Sequence, residues 1–180
     1  MSEMAFKDMK NIKILFGILV LVIAMTTASA AQSINLQALE GGSVALDAQR
    51  GKVVVLAIGA SWLPLSKQQA MIVNKLAKKY SPNDVAIYFV TTDSANAKSK
   101  NFADDAQVRK FATANKMSAP ILRDADGLLT LKRFKVDQLP SFVVIGKDGS
   151  PIEPFGGLDP DAAATDNLAN QIAAAIDRLK

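Results

Sequence analysis

The side chain best placed for chemistry is Ser66, which opens a helical pattern four residues after the single tryptophan, Trp62. A serine hydroxyl is a weak nucleophile unless a base removes its proton, and histidine, the usual base, is absent from all 180 residues. Lys67 is adjacent, but neighbouring residues on a helix do not face each other. Ser66 and Gln69 instead match a capping box, in which each side chain bonds to a free backbone N–H. The spacing therefore predicts a helix cap in preference to a catalytic serine.

Two other motifs have some of the residues that bind ions. Residues 124–127 (Asp-Ala-Asp-Gly) resemble the start of a calcium loop, but the glutamate required at the twelfth position is replaced by Lys135. Gly156 and Gly157 precede a helical pattern, yet no phosphate-loop signature is present and Asp159 would repel an anion. We therefore expect a turn at residues 124–127, and neither a metal ion nor a cofactor.

The composition excludes several classes of function. The chain has no cysteine, so it has no disulfide, no redox dithiol and no thiolate metal ligand. Its formal net charge is +4, but the basic residues are scattered and form no run interleaved with aromatic residues. No nucleic-acid partner is therefore expected. About half of the residues are apolar (49%), which is enough for a chain of this length to bury the core of one domain.

The first 30 residues have the pattern of a secretory signal. Three lysines precede an apolar run over residues 14–25, and small residues follow as far as Ala30. The run is shorter than the roughly 20 residues that span a bilayer as a helix. We predict cleavage after Ala30, which leaves a mature domain of residues 31–180 in the periplasm or outside the cell. The alternative is an uncleaved inner-membrane anchor, and because no cysteine follows the run, a lipoprotein anchor is excluded.

A strand and a helix must position Ser66. Residues 53–58 form a continuous apolar run rich in β-branched side chains, which is typical of a strand buried on both faces. Beyond Gly59 and the turn that follows, apolar residues recur three or four apart and predict a helix. This apolar face consists of Ala70, Val73, Ala77 and Tyr80. Residues 85–90 form a second buried run, which completes a right-handed βαβ unit.

This strand, turn and helix closely resemble the active-site segment of thioredoxin-fold proteins. The resemblance is strongest to the periplasmic TlpA/ResA-like thiol:disulfide oxidoreductases of the redoxin, or AhpC/TSA, type. That family has its two redox cysteines at the positions of Leu63 and Ser66, and many thioredoxins have a buried acid at the position of Ala57. Thiol–disulfide exchange needs one thiolate to attack and a second thiol to resolve the mixed disulfide. The resemblance therefore implies a degenerate member of the family with no catalytic residue.

The family pattern continues over residues 33–180. Short alternating segments at 33–36 and 43–46 predict an N-terminal β-hairpin, and residues 91–101 are small and polar, which predicts a surface loop. An additional helix and short strand within residues 107–122 resemble the insertion of the TlpA/ResA branch. We expect an α/β protein with a thioredoxin-like fold, in which helices flank a central mixed β-sheet.

Prolines mark two further positions in the C-terminal part. Pro140 opens an apolar run over residues 141–145, where it can only occupy the first residue of a strand or an edge. The resemblance implies that the Leu139–Pro140 bond is cis. Asp159 and Pro160 predict the N-cap and first residue of the last helix.

The resemblance also implies a docking groove, which we call the relic groove: Trp62, Leu63, Pro64, Leu65, Leu139 and Pro140. We predict that it binds a periplasmic protein or peptide without catalysis. One alternative is that Leu63 and Leu65 fold inward and leave an inert surface. The other is a thiol:disulfide oxidoreductase or peroxide reductase role that depends on a partner's cysteines. Membrane contact is expected only if the N-terminal segment is retained.

Overall fold

The fold is built on one six-stranded mixed β-sheet. The computed structural model describes residues 33–152 and 154–180, so the predicted signal segment lies outside the described residues. The strands are β1 (Asn35–Ala38), β2 (Ser43–Ala45), β3 (Val53–Gly59), β4 (Val85–Thr91), β5 (Ile121–Arg123) and β6 (Ser141–Ile145). Their order across the sheet is β2-β1-β5-β4-β3-β6. Strands β1 and β2 pair antiparallel and confirm the predicted N-terminal hairpin.

The strand directions bring several loops to one edge of the sheet. Strands β3, β4 and β5 are parallel, whereas β6 is antiparallel to β3, with Ser141 paired to Ile58. The carboxyl ends of β3, β4 and β5 and the amino end of β6 therefore lie at the same edge. We call this the carboxyl edge, and it comprises the residues that directly follow β3, β4 and β5 and those that directly precede β6.

Within residues 33–152 and 154–180, four α-helices accompany the sheet: α1 (Ser66–Lys79), α2 (Asp105–Ala114), α3 (Thr130–Arg133) and α4 (Ala162–Leu179). Strand β3 separates two apolar clusters. Val53, Val55 and Ala57 belong to the cluster that α1 and α4 cover, and the intervening residues of β3 belong to the cluster on the other face. Every residue of β3 is buried, as its continuous apolar run predicts. The thioredoxin-like α/β fold is confirmed. The described residues contain no helix long and apolar enough to cross a membrane.

The start of the last helix differs from the prediction. Helix α4 begins at Ala162, and its N-cap is Asp161, whose side chain accepts a hydrogen bond from the backbone N–H of Ala164 at 2.9 Å. Asp159 Oδ1 accepts the N–H of Asp161 at 2.8 Å. The assignment of Asp159 as N-cap and Pro160 as the first helical residue is therefore wrong. Aspartate is a favoured N-cap residue, so the sequence alone allows either Asp159 or Asp161. The tertiary structure sets the residue at which the helix begins, and this decides which aspartate caps it.

The predicted surface loop at residues 91–101 is wrong at its beginning. Thr91, Thr92, Asp93 and Ser94 are all buried, because β4 extends to Thr91 and the next three residues pack at the carboxyl edge. The polar composition suggested exposure. These polar side chains are tolerated inside because they form hydrogen bonds there, several of them with residues far away in the sequence.

Candidate functional site

A hydrogen-bonded turn connects β3 to α1 and carries Trp62. The backbone N–H of Leu63 donates to the Ala60 carbonyl at 3.3 Å, and that of Ser66 donates to the Leu63 carbonyl at 3.1 Å. The Ser66 hydroxyl also donates to the Ala60 carbonyl. These bonds hold the turn together, and half of the Trp62 surface (50%) remains exposed to solvent.

The capping box predicted for Ser66 and Gln69 is wrong. The N-cap of α1 is Leu65, which makes no side-chain capping bond, and the Ser66 side chain turns back into the preceding turn. Gln69 is fully buried, and its Nε2 donates to the carbonyls of Ile58 and Ser141, both at 3.0 Å. These two carbonyls lie at the ends of β3 and β6. A buried carbonyl without a donor is costly, so Gln69 bonds there and not to the start of its own helix.

The burial and the hydrogen bond of the Ser66 hydroxyl argue against Ser66 as a nucleophile. Its side chain is 1% exposed, and its proton points at a backbone carbonyl, which is not a base. A nucleophilic hydroxyl needs both access to substrate and a proton acceptor. The geometry therefore does not support Ser66 as a catalytic serine.

Asp93 is the site residue that the sequence interpretation missed. Its side chain is fully buried behind the turn. The carboxylate accepts the backbone N–H of Ser61 at 3.0 Å, the Ser61 hydroxyl at 2.8 Å and the Thr91 hydroxyl. A buried carboxylate is tolerated only when it is well hydrogen-bonded. A single acid directly after a buried strand was the available signal, and it was interpreted as part of a polar loop.

The structure places the relic-groove residues at the carboxyl edge with different degrees of burial. Trp62 and Pro64 are exposed, Leu63 and Leu65 are partly buried, and Pro140 is buried. Leu139 is partly buried and packs against the apolar cluster on the face of the sheet opposite α1. The Leu139–Pro140 bond is cis, as the resemblance implied. The turn and the cis bond lie at the same edge because Ser141 pairs with Ile58.

The segment that leads into β6 has free backbone groups. Among the described residues, the backbone N–H and C=O groups of Asp137, Gln138 and Leu139 make no hydrogen bonds to protein atoms. Asp137 and Gln138 are exposed, so water can reach these groups. An extended peptide can pair with such groups by β-strand addition.

Asp124 forms a local cap in place of an ion site. Its buried carboxylate accepts the backbone N–H groups of Leu129 and Thr130 at 3.0 and 2.8 Å and the Thr130 hydroxyl at 2.6 Å. These bonds cap the start of α3, and the turn that the sequence predicts at residues 124–127 is closed by the backbone N–H of Gly127, which donates to the Asp124 carbonyl at 2.8 Å. Across the described part of the chain, no group of three or more acidic, histidine or cysteine side chains could hold a metal ion.

The chain belongs to the AhpC/TSA family, whose model matches residues 27–150. No curated protein matches it. A Chlorobium tepidum protein described as a thiol:disulfide interchange protein DsbE is 24% identical, with a TM-score of 0.65 over 81% of this chain and 94% of that one. The pneumococcal exposed lipoprotein thioredoxin Etrx1 from Streptococcus pneumoniae is 20% identical, with a TM-score of 0.63 over 82% and 99%.

A third solved structure extends the likeness to another phylum. A secreted Mycobacterium tuberculosis disulfide oxidoreductase, described as homologous to Escherichia coli DsbE, is 23% identical, with a TM-score of 0.60 over 78% of this chain and 95% of that one. At these identities the likeness shows the fold. Together with the cysteine-free sequence, it defines a degenerate thioredoxin-like member of the redoxin family.

Proposed function

We propose that this chain is a non-catalytic thioredoxin-like protein that binds an extended polypeptide at the relic groove. The observation that carries the proposal is the placement of Trp62, which is half-exposed on a hydrogen-bonded turn at the same edge of the sheet as the cis Leu139–Pro140 bond. Tryptophan is among the residues that most often dominate binding energy at an interface. The chain itself supplies no thiol for exchange.

The free backbone groups of Asp137, Gln138 and Leu139 support a polypeptide as the ligand. A peptide that adds to this segment would satisfy donors and acceptors that have no hydrogen-bond partner among the described residues. Trp62 would then contact a side chain of the same peptide. The two contacts are different in kind, because the backbone pairing gives affinity for any extended chain and the tryptophan selects for an apolar side chain.

We propose an extracytoplasmic location on two grounds. The N-terminal 30 residues have the signal pattern, and two of the similar proteins are described as exposed or secreted. Expression in an exporting bacterium followed by intact-mass measurement tests this. The expected mature N-terminus is Ala31, and a membrane-bound species that retains Met1 would establish an anchor instead.

The proposed function is tested with Trp62→Ala, using a panel of labelled extended peptides and fluorescence anisotropy. Binding should weaken by about 2 kcal/mol, which is roughly 30-fold in Kd. Half of the Trp62 side chain is already exposed in the folded protein. The substitution should therefore lower the free energy of unfolding, measured in urea, by about 2 kcal/mol, which is less than the 3–5 kcal/mol expected for a core tryptophan.

Met71→Ala is the matched control for this test. Met71 is similarly exposed (55%), but it lies on α1, within the helix that follows the turn. Its truncation should leave peptide binding unchanged. A core-sized stability loss for Trp62→Ala, with unchanged binding by the folded fraction, would reject the relic groove as the working surface.

The competing role, in which a partner supplies the cysteines, predicts a different result. The purified protein would then accelerate reduction of a disulfide substrate only when a cysteine-containing partner is added. The preferred proposal predicts no acceleration with or without a dithiol partner, because a non-catalytic binder transfers no electrons.

A further inference from the structure

The carboxyl edge exposes a second apolar area. Among the described residues, four large apolar side chains are exposed: Trp62, Met71, Leu128 and Leu129. Leu128 (76%) and Leu129 (47%) follow β5, so they lie at the same edge of the sheet as Trp62. Three of the four exposed large apolar side chains are therefore gathered at this edge, and Met71 is on α1.

Buried aspartates hold both apolar segments in place. Asp124 is 3% exposed and accepts the backbone N–H of Leu129, while its own N–H donates to the Thr91 carbonyl at 3.0 Å. Asp93, two residues beyond Thr91, binds Ser61 in the turn that carries Trp62. One continuous hydrogen-bond network therefore links the two segments. Exposed apolar side chains on such a preorganised frame lose little conformational freedom on binding.

The charges beside the leucines are mostly positive. Lys132, Arg133 and Lys135 are exposed directly after them, and none forms a salt bridge with another described residue. The exposed acids in the same connection are Asp126 and Asp137. Counting the buried Asp124, the connection has as many acids as bases, so only the local cluster of three bases within residues 132–135 favours a partner with negative charge next to its apolar groups.

We propose that Leu128 and Leu129, with Lys132, Arg133 and Lys135, form a second contact area that selects an acidic polypeptide with apolar anchors. The proposal rests on the proposed function, because the relic groove supplies the first anchor at Trp62. The ends of β3 and β5 are two strand spacings apart, about 10 Å, which is the length of about three extended residues. A partner segment that contacts both areas must span at least this distance.

A polypeptide fits this edge better than a lipid surface does. The free backbone groups of Asp137, Gln138 and Leu139 lie in the connection that begins with the exposed leucines and returns to the same edge. A peptide backbone offers the complementary donors and acceptors in one molecule. Helix α3 has four residues, so it is too short to lie in a membrane interface as an amphipathic helix.

The test uses the purified protein and two labelled peptides. One alternates leucine pairs with glutamates, and the other has lysine in place of each glutamate. The glutamate peptide should bind about tenfold more tightly at low ionic strength, and added salt should shrink the difference. The double substitution Leu128→Ser with Leu129→Ser should raise its Kd about tenfold. Lys132→Glu with Arg133→Glu should remove the preference for glutamate, and Met71→Ser should change nothing.

The outcomes separate this inference from the proposed function. If Trp62→Ala weakens binding and the leucine and charge variants do not, the second contact area is rejected and the relic groove stands. If neither peptide binds, or Trp62→Ala has no effect, both fail. Two other results would also overturn the assignment to an acidic polypeptide. The first is that the protein sediments with phosphatidylglycerol vesicles, and the second is that it self-associates. In each case the double substitution of Leu128 and Leu129 would abolish the effect and leave peptide binding unchanged.

Discussion

Replacing Asp93 with alanine should loosen the turn that carries Trp62. The carboxylate accepts three donors, which are the backbone N–H and hydroxyl of Ser61 and the hydroxyl of Thr91. Asp93 and Thr91 are both fully buried, whereas Ser61 is partly exposed. Alanine leaves all three donors without their acceptor. Water can reach the donors of Ser61, but the Thr91 hydroxyl must find another partner inside the protein.

The structure sets the size of the effect. Hydrogen bonds to a charged group contribute about 1.5–3 kcal/mol each, and a buried unsatisfied donor costs about 1–3 kcal/mol. Rehydration of Ser61 reduces its share, and removal of a buried charge relieves a desolvation cost. We therefore expect Asp93→Ala to lower the free energy of unfolding by about 3 kcal/mol. Asp93→Asn keeps the shape and one acceptor oxygen, so it should lose about 1 kcal/mol.

Urea unfolding followed by circular dichroism measures both changes as shifts in midpoint at constant slope. Ser61→Ala completes a double-mutant cycle with Asp93→Ala, and the coupling energy should fall in the range of about 0.5–3 kcal/mol typical of residues in contact. The anisotropy of Trp62 fluorescence should also fall in Asp93→Ala before global unfolding. A loss below about 1 kcal/mol together with zero coupling would refute the claim that Asp93 holds the turn.

Two further predictions concern the same turn. Gln69→Leu removes the amide that bridges the carbonyls of β3 and β6, so unfolding free energy should fall by about 2 kcal/mol. Gln68→Leu is the control, because Oε1 is buried without a hydrogen-bond partner in both residues, whereas only Gln69 uses its Nε2 to bridge two carbonyls of the described residues. Equal losses in the two variants would contradict the bridge. Leu63→Cys with Ser66→Cys should form a disulfide on oxidation, because the turn bond between these residues holds their Cα atoms within about 7 Å. Thiol titration checks this, with Leu63→Cys alone as control, and two free thiols after oxidation would contradict the turn geometry.

The strands and helices could be predicted because they depend on patterns that are local in the chain, and their thioredoxin-like arrangement was implied by the family resemblance. The apolar run at residues 53–58 has no polar interruption, so it suits only a strand covered on both faces, and β3 is that strand. The segment from β3 through α1 to β4 follows from runs and periodicities within about 40 residues. The exclusion of thiol chemistry needs no structure at all, since it follows from the absence of cysteine.

The polar contacts of the candidate site could not be predicted from the sequence. Asp93 binds Ser61 across 32 residues, and Gln69 binds Ser141 across 72 residues. The residues next to Asp93 or Gln69 in the sequence do not indicate which distant residue it will bond to. The capping box at Ser66 failed for the same reason, because a local rule could not take account of a buried carbonyl contributed by a distant strand.

The difference has one physical cause. Secondary structure and core faces are set by short-range propensity and by the apolar pattern, both of which are present in any stretch of sequence. A polar side chain near the end of a strand instead bonds to whichever buried donor or acceptor would be most costly to leave unpaired, and that is known only after packing. The sequence by itself therefore determined the strands and helices, the resemblance to thioredoxin-fold proteins and the absence of cysteine from the 180 residues. The tertiary structure decided that Ser66 bonds back into the turn and that Gln69 bridges β3 and β6. It also decided that Asp93 lies behind the turn and that Trp62, Leu128 and Leu129 are exposed at one edge of the sheet.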